Sequence, residues 1–321
     1  MREYGGFLGL EQNTGRKYHE GAIALNLGRN CLRYLIKARK IKKIWMPKFL
    51  CESVRNACKA EGIEIGYYSA DENLRPVSDA FDALSAEDYF YLVNFYGFLS
   101  QDEIAEYASK MPHLIVDNTQ AFFQKSLPGI DTIYSCRKFF GVPDGAYLYT
   151  DAILDYDLPV DVSRKRMSHL LGRYEGTASD FYEAYRENED TLAKLPVMAM
   201  SKLTHNLMRG IDYDRARDSR AKNYGYLRAS FSKINKLRVA SCVPDGPFMY
   251  PLLVENGGEV RKKLQEQKIY VPTLWPNVLK ECGKEDTEYR LAENILPLPV
   301  DQRYNLEDMK YVEEVVLKCI G

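Results

Sequence analysis

Ser135 and Lys138 stand three positions apart, directly after an apolar run that is typical of a strand. A lysine beside Phe139 and Phe140 has a partly desolvated amine, which favours the neutral nucleophile needed to form a Schiff base with a carbonyl compound. Ser135 is within reach of the same ligand as a hydroxyl donor. Taken alone, the segment also fits an ordinary solvated loop lysine.

A carboxylate ends a second apolar run. The segment Leu114–Asp117 stops abruptly in an acidic residue, and Gln120 follows one short turn later. A carboxylate at that position is costly unless a cation meets it. The cation is either a structural lysine or arginine, or the protonated ring nitrogen of pyridoxal, which an aspartate stabilises so that the ring can act as an electron sink.

Two earlier segments offer further ligand contacts. Gly28 permits a tight turn, Asn30 can cap the helix that begins there, and Arg29 adds positive charge, so that the free backbone N–H groups of this helix start suit a phosphate. A glycine before a capped helix is also common without any ligand. Phe49 or Cys51 can lie over the face of a planar ligand, although both residues also fit the core.

Short apolar runs alternate with amphipathic stretches between residues 27 and 150, which is the pattern of β-α-β units around a parallel sheet. The candidate residues all lie at the carboxyl end of a predicted strand or at the start of the next helix, where open α/β sheets bind ligands. The predicted strands are Ile44–Met46, Ile63–Tyr68, Tyr89–Phe95, Leu114–Asp117, Thr132–Ser135 and Ala146–Tyr149. The predicted helices are Asn30–Arg39, Cys51–Ala60 and Gln101–Lys110.

The second half of the chain predicts a helical region and then a smaller α/β unit. Residues 163–220 are charged and helical in pattern, with no strand signature. From this change of pattern we expect a large domain over residues 1–220 and a small carboxyl-terminal domain over residues 221–321. Its predicted elements are a strand Phe248–Val254, a helix Glu259–Gln267, a strand Ile269–Val271 and a last helix Leu306–Ile320 capped by Asn305.

Composition excludes several classes of function. Lys and Arg total 44 against 45 Asp and Glu, so the formal net charge of −1 provides no field that attracts nucleic acid or anionic lipid. The seven scattered cysteines include no C-x-x-C pair, which is typical of free thiols in a reducing compartment. We find no signal peptide and no apolar run long enough to cross a bilayer, and we therefore expect a cytoplasmic protein without a membrane partner.

Other enzyme classes find little support. The sequence has no G-x-G-x-x-G after a strand, no P-loop, no G-x-S-x-G and no H-E-x-x-H. The four histidines lack metal-ligand spacing, so no metal site is predicted.

Read in order, the candidate segments resemble the fold-type-I pyridoxal-phosphate enzymes, and within them the DegT/StrS-type sugar aminotransferases. The resemblance runs from about residue 22 to the end of the chain and rests on the order and separation of several segments. These are the phosphate turn at Leu27–Leu32, the strand and Tyr-Gly turn at Leu92–Gly97, the Asp-x-x-Gln-Ala segment at Ile115–Ala121, the Ser, Lys and acidic-Gly segment at Ser135–Ala146, and the Leu-Pro segment at Asn294–Val300.

The resemblance implies an α/β fold of the aspartate-aminotransferase type, with a mainly parallel central sheet between helices in the large domain, and pyridoxal 5'-phosphate as cofactor. It implies Lys138 as Schiff-base lysine and proton shuttle, and Asp117 as partner of the pyridinium nitrogen. Gln120 would lie near the ring hydroxyl, and Ser135 with the backbone of residues 28–30 would hold the phosphate.

The chain also departs from the family pattern. Cys51 stands where the family often has a stacking aromatic ring, and Arg29 stands where a small hydroxyl residue is common. Asp144-Gly-Ala146 replaces the acidic-Gly-Gly form. The spacing of three between Ser135 and Lys138 resembles the aspartate aminotransferases instead, so the chemistry of the pair is preserved.

The resemblance implies a homodimeric aminotransferase that moves an amino group from a donor such as glutamate to a nucleotide-linked keto-sugar. Two alternatives stay open at this stage. The same cofactor also serves eliminations and dehydrations. A degenerate relative could keep the fold as a binding module, which the short segment before Gly28 and the altered stacking position motivate.

Overall fold

The structure is a computed structural model that describes residues 4–77, 81–238 and 243–321. Its centre is a seven-stranded sheet with the strand order β1-β7-β6-β5-β4-β2-β3. Only β7 runs antiparallel to its neighbours, and the other six strands point the same way. The strands are β1 Ile23–Leu25, β2 Lys43–Pro47, β3 Glu64–Tyr68, β4 Tyr89–Val93, β5 Leu114–Asp117, β6 Asp131–Ser135 and β7 Ala146–Tyr149.

Helices cover both faces of this sheet. Successive residues of β4 and β5 face opposite hydrophobic clusters, because strand side chains alternate between the two sides. The parallel strands are therefore almost continuously buried, as expected for a sheet covered on both faces. The helices that connect these strands are α1 Gly28–Ala38, α2 Glu52–Ala60 and α3 Gln101–Lys110.

The six strands and three helices predicted between residues 27 and 150 are confirmed, with small shifts at their ends. Tyr89–Phe95 is shorter than predicted, because a 3-10 turn over Phe95–Gly97 ends the strand at Val93. The first strand, β1, had no prediction. It is only three residues long and pairs with β7 at the edge of the sheet.

The region over residues 163–220 is helical, as predicted. Within it, the structure contains a 3-10 turn and helices α4 Ser168–Glu175, α5 Tyr182–Ala193 and α6 Lys202–Met208, followed by the start of α7 Tyr213–Phe231. Helix α7 continues across residue 220 and packs against both β8 and α11. The division of the chain at residue 220 stays a prediction.

A two-stranded antiparallel sheet organises the carboxyl-terminal part. Strand β8 was predicted, and it pairs with a strand that was not predicted, β9. The last helix has the predicted bounds, and the Asn305 side chain accepts hydrogen bonds from the Glu307 and Asp308 amides as its cap. The elements are β8 Met249–Leu253, α8 Gly257–Glu266, α9 Val278–Glu281, α10 Thr287–Asn294, β9 Ile295–Pro299 and α11 Leu306–Ile320.

The predicted strand Ile269–Val271 is wrong. Ile269 and Val271 are buried, so their apolar character reflects core packing. A strand also needs a neighbour for its backbone hydrogen bonds. In this structure β9 is the strand that pairs with β8. Within the described ranges, no helix combines the length and apolar character needed to span a membrane.

Candidate active site

The carboxyl ends of β4, β5 and β6 lie side by side. In the parallel register, Asp117 is aligned with Val93 on one side and with Ile133 on the other. Ser135 ends β6, and Lys138 follows it in the next turn. The register of the sheet thus brings the predicted carboxylate and the predicted amine to one edge, although they are distant in sequence.

Asp117 is buried, with 4% of its surface exposed, and its two carboxylate oxygens have separate partners. The Tyr91 hydroxyl donates to Oδ2 at 2.8 Å, and the Thr119 backbone amide donates to Oδ1 at 2.8 Å. Two directional donors fix the orientation of the carboxylate and offset the cost of burying it. Tyr91 lies on β4 and was not identified from the sequence.

The Lys138 amine lies near the Asp117 carboxylate at this edge of the sheet. The lysine side chain is accessible to solvent, yet surrounding protein desolvates the amine. Burial lowers the pKa of Lys138 below its usual value, and the nearby Asp117 carboxylate and Cys51 act in the opposite direction. The Phe248 ring centroid lies 5.9 Å from Nζ. This setting increases the neutral fraction of the amine, which is the nucleophilic form.

Thr119 connects the two groups. Lys138 Nζ donates to the Thr119 hydroxyl at 2.8 Å, while the amide of the same threonine donates to Asp117. The carboxylate and the amine therefore meet around one residue, and the predicted convergence of these two strand-end groups is seen. Sequence reasoning missed Thr119, although its position two residues after the strand-end aspartate was a usable signal.

Gly28 faces the same place. A Cβ built on Gly28 would lie 3.4 Å from Thr119 Cγ2 and 4.0 Å from Ser135 Cβ, so the helix start, the threonine and the serine form one cradle. Helix α1 begins at Gly28, where the first backbone N–H groups have no intrahelical acceptor. An anion approaching this cradle would meet these donors at the positive end of the helix.

The predicted capping role of Asn30 is wrong. Leu27 occupies the N-cap position without a side-chain cap, and the Asn30 amide N–H bonds to the Leu27 carbonyl. The Asn30 side chain is buried and donates to Asn26 Oδ1 at 2.9 Å and to the Pro196 carbonyl at 2.7 Å. Asn30 thus fastens α1 to a distant loop, and both its backbone and side-chain N–H groups are already engaged.

Arg29 brings positive charge to the helix start. Burial lowers the pKa of its guanidinium, while Cys51 and Glu189 act to raise it and Arg137 to lower it. Arg137 forms an ion pair with Glu189 of α5, and both residues were missed by sequence reasoning. Glu189 is paired with Arg137, and Arg29 is close enough to feel both charges, so the arginines outnumber the carboxylate beside the cradle.

Cys51 and Gln120 differ in how directly they face this site. Cys51 ends the segment after β2 and contacts Ser53 Oγ at 3.1 Å. It acts electrostatically on both Lys138 and Arg29, which places it near both residues. Gln120 is buried, and its Oε1 accepts a hydrogen bond from the Tyr96 amide at 2.8 Å. This bond ties the loop after β5 to the turn after β4.

No protein-family model matches the sequence, and a search of curated proteins found no match. Solved structures do match. A DegT DnrJ EryC1 StrS aminotransferase from Brucella abortus is 15% identical with a TM-score of 0.65, and the match covers 94% of this chain and 86% of that one. The sugar aminotransferase CalS13 from Micromonospora echinospora is 14% identical with a TM-score of 0.64, covering 92% and 87%.

A third match is the E. coli GDP-4-keto-6-deoxy-D-mannose-3-dehydratase with bound hydrated PLP, at 14% identity and a TM-score of 0.62, covering 92% of this chain and 87% of that one. At such identities a likeness shows the fold. The predicted aspartate-aminotransferase-like α/β fold is therefore confirmed, and the structures that share it carry the names of the enzymes that the sequence segments resemble.

Proposed function

We propose that this protein is a pyridoxal-phosphate-dependent aminotransferase that acts on a nucleotide-linked keto-sugar, with an amino acid such as glutamate as donor. One observation carries the proposal: Lys138 and Asp117 converge on Thr119 beside the Gly28 helix start. The sugar part rests on the names of the proteins that share the fold.

The residues present fit the cofactor. A pyridoxal phosphate molecule carries an aldehyde, a basic ring nitrogen and a phosphate, and this site offers an amine, a buried carboxylate and a helix start with a nearby arginine. Lys138 would hold the cofactor covalently through Nζ, and Asp117 would face the ring nitrogen. The Gly28 and Arg29 amides, Ser135 and the Arg29 guanidinium would hold the phosphate. Gln120 and Cys51 would border the ring.

When bound, the cofactor supplies an electron sink for the carbon that exchanges its amino group. The protein's own groups hold and move protons. Because burial lowers its pKa, Nζ of Lys138 gives up a proton more readily than an ordinary lysine amine and can then act as a base. Asp117, oriented by the Tyr91 hydroxyl and the Thr119 amide, would accept a hydrogen bond from the protonated ring nitrogen.

The cofactor proposal is tested by absorbance and by chemical trapping. Purified protein with pyridoxal phosphate should turn yellow, and borohydride should fix the cofactor to the peptide that contains Lys138. Lys138→Ala should abolish both signals, whereas Lys125→Ala, at an exposed lysine, should leave them intact. A colourless wild-type protein without a labelled peptide would contradict the proposal. Glutamate should then convert the yellow form to the pyridoxamine form.

A dehydratase is the second candidate, because one protein that shares the fold is a PLP-bound keto-sugar dehydratase. Incubating the protein with pyridoxal phosphate, glutamate and a nucleotide-linked keto-sugar distinguishes the two reactions by their products. Transfer of the amino group to the sugar supports the aminotransferase, and loss of water from the sugar without such transfer supports the dehydratase. A binding module would do neither and would keep its cellular role in the Lys138→Ala variant.

A homodimer and a cytoplasmic location belong to the same proposal. The homodimer follows from the family resemblance, and the cytoplasmic location follows from the scattered cysteines. Sedimentation of the purified chain tests the first, and fractionation of cells tests the second. A monomer that binds the cofactor fully would separate the activity from dimerisation.

A further inference from the structure

Arg220 is a buried arginine at the centre of helix α7, with 2% of its surface exposed. Among the described residues, its hydrogen-bond acceptors are all neutral. Its guanidinium donates to Gln302 Oε1 at 2.8 Å and to the carbonyls of Pro247 at 3.0 Å, Phe248 at 3.2 Å and Phe139 at 3.0 Å. A buried cation with only neutral acceptors is costly, so these contacts indicate a specific role.

The electrostatic setting shows this cost. Burial lowers the pKa of Arg220 to about 10, and Asp301 acts in the opposite direction. The guanidinium also lies over the Phe139 ring, with its carbon 4.6 Å from the ring centroid. Arginine suits such a site because its planar fork can serve several carbonyls and a ring at once, which a lysine cannot do.

Two of the four acceptors belong to residues that adjoin Lys138. Phe139 directly follows Lys138, and the Phe248 ring lies 5.9 Å from the lysine amine. Gln302 strengthens the same junction, since its Nε2 donates to the Phe139 carbonyl at 2.9 Å while its Oε1 accepts from Arg220. One arginine therefore fastens the lysine loop to the segment that leads into β8.

We propose that Arg220 is a positioning residue for Lys138. It holds the backbone that directly follows the lysine against the segment that carries Phe248, and so keeps the Phe248 ring beside the amine and limits the hydration of the amine. Gln302 supports the same contact through the Phe139 carbonyl. The significance of Lys138 rests on the proposed function. The geometry of the junction does not depend on the cofactor, and neither does the test.

The test measures the reactivity of the Lys138 amine in the full chain without added cofactor. Trace acetylation with acetic anhydride is carried out from neutral to alkaline pH, and the Lys138 peptide is quantified by mass spectrometry against the exposed Lys125. In Arg220→Lys the planar guanidinium and its several hydrogen bonds are lost. More water then reaches the Lys138 amine, so the pH dependence of its acetylation moves to higher pH. A shift of one pH unit reduces acetylation at neutral pH about tenfold. Gln302→Leu should shift the profile in the same direction by a smaller amount.

The matched control is Arg55→Lys. Arg55 is also buried, and it bonds to the Lys48 carbonyl and to Glu281, outside the junction described above. Its replacement should lower the thermal unfolding temperature without moving the Lys138 profile. An unchanged profile in Arg220→Lys, or an equal shift in Arg55→Lys, would overturn the inference. If Arg220→Lys does not fold, Gln302→Leu decides by the same criterion.

This outcome is separable from that of the proposed function. A wild-type chain that never binds pyridoxal phosphate would refute the cofactor, while acetylation would still report on Arg220. Cofactor binding together with an unshifted Arg220→Lys profile would overturn only the positioning role.

Discussion

At the scale of single residues, the site depends on opposing influences on one amine. Burial makes Lys138 easier to deprotonate, and the Asp117 carboxylate partly reverses this effect. Thr119 contacts both groups and keeps them in a fixed relation. The balance matters because a lysine that stays fully protonated is a poor nucleophile at neutral pH.

Removing the carboxylate charge should shift this balance. In Asp117→Asn the group that raises the pKa of Lys138 is gone, so we expect the amine to titrate at lower pH and to be acetylated several-fold faster at neutral pH. The direction is opposite to that expected for Arg220→Lys. Under the proposed function, the same variant should also lose transamination, because the ring nitrogen of the cofactor would lack its counter-charge. Slower acetylation at neutral pH would contradict this assignment of charges.

At the scale of elements, a buried carboxylate joins the lysine loop to helix α6. Asp144 is fully buried, and it accepts hydrogen bonds from the Ser201 amide at 2.8 Å, the Ser201 hydroxyl at 2.6 Å and the Thr204 hydroxyl. Ser201 is the N-cap of α6. The acidic residue of the predicted Asp-Gly-Ala turn is therefore an anchor for the next helix.

Asp144→Asn should destabilise the fold. The amide places an NH₂ group among donors that need an acceptor, so the free energy of unfolding should fall by about 2–4 kcal/mol. Urea unfolding measures this change. Asp151→Asn is the control, because Asp151 pairs with Arg39 at the exposed surface, where solvent screens the pair, and its loss should destabilise the fold much less than Asp144→Asn. Equal effects of the two substitutions would argue against the anchor.

At the scale of the whole molecule, the amino-terminal segment is fixed to the sheet by a buried histidine. His19 is 4% exposed, its Nε2 donates to the Phe122 carbonyl at 2.9 Å, and its ring centroid lies 4.1 Å from that of Tyr134. Burial lowers the pKa of His19 from 6.5 to about 3. The folded protein therefore keeps this ring neutral at pH values where the unfolded chain protonates it.

This difference predicts how stability depends on pH. As the pH falls below 6.5, the unfolded chain binds a proton at His19 that the folded chain does not bind. The free energy of unfolding therefore decreases steadily from pH 6.5 down to about pH 3. In this range, the contribution of His19 to the loss of unfolding free energy approaches roughly 1.4 kcal/mol for each pH unit. Urea unfolding of His19→Phe at several pH values should show a shallower acid slope than the wild type. Parallel slopes for wild type and His19→Phe would contradict this prediction.

Local pattern predicted most of the framework, because burial on a strand or helix leaves a periodic trace in the sequence. Leu114–Asp117 and Ala146–Tyr149 have the predicted bounds, and so do Gln101–Lys110 and Leu306–Ile320. The local sequence pattern was insufficient where strand pairing decides whether a segment forms a strand. The apolar residues of Ile269–Val271 have the composition of a strand, but β8 forms its backbone hydrogen bonds with Ile295–Pro299. A local sequence pattern does not show which segments pair.

The sequence by itself determined the fold class, the strand-end positions of Asp117, Ser135 and Lys138, and the glycine at the start of α1, because each depends on the residue type and its near neighbours. Tertiary structure alone decided which groups meet. Thr119 bridging two strand ends, Glu189 pairing with Arg137, and Arg220 reaching the Phe139 carbonyl are contacts across 19, 52 and 81 residues. The physical reason is that such contacts depend on how sheets and helices pack, and packing depends on the whole chain.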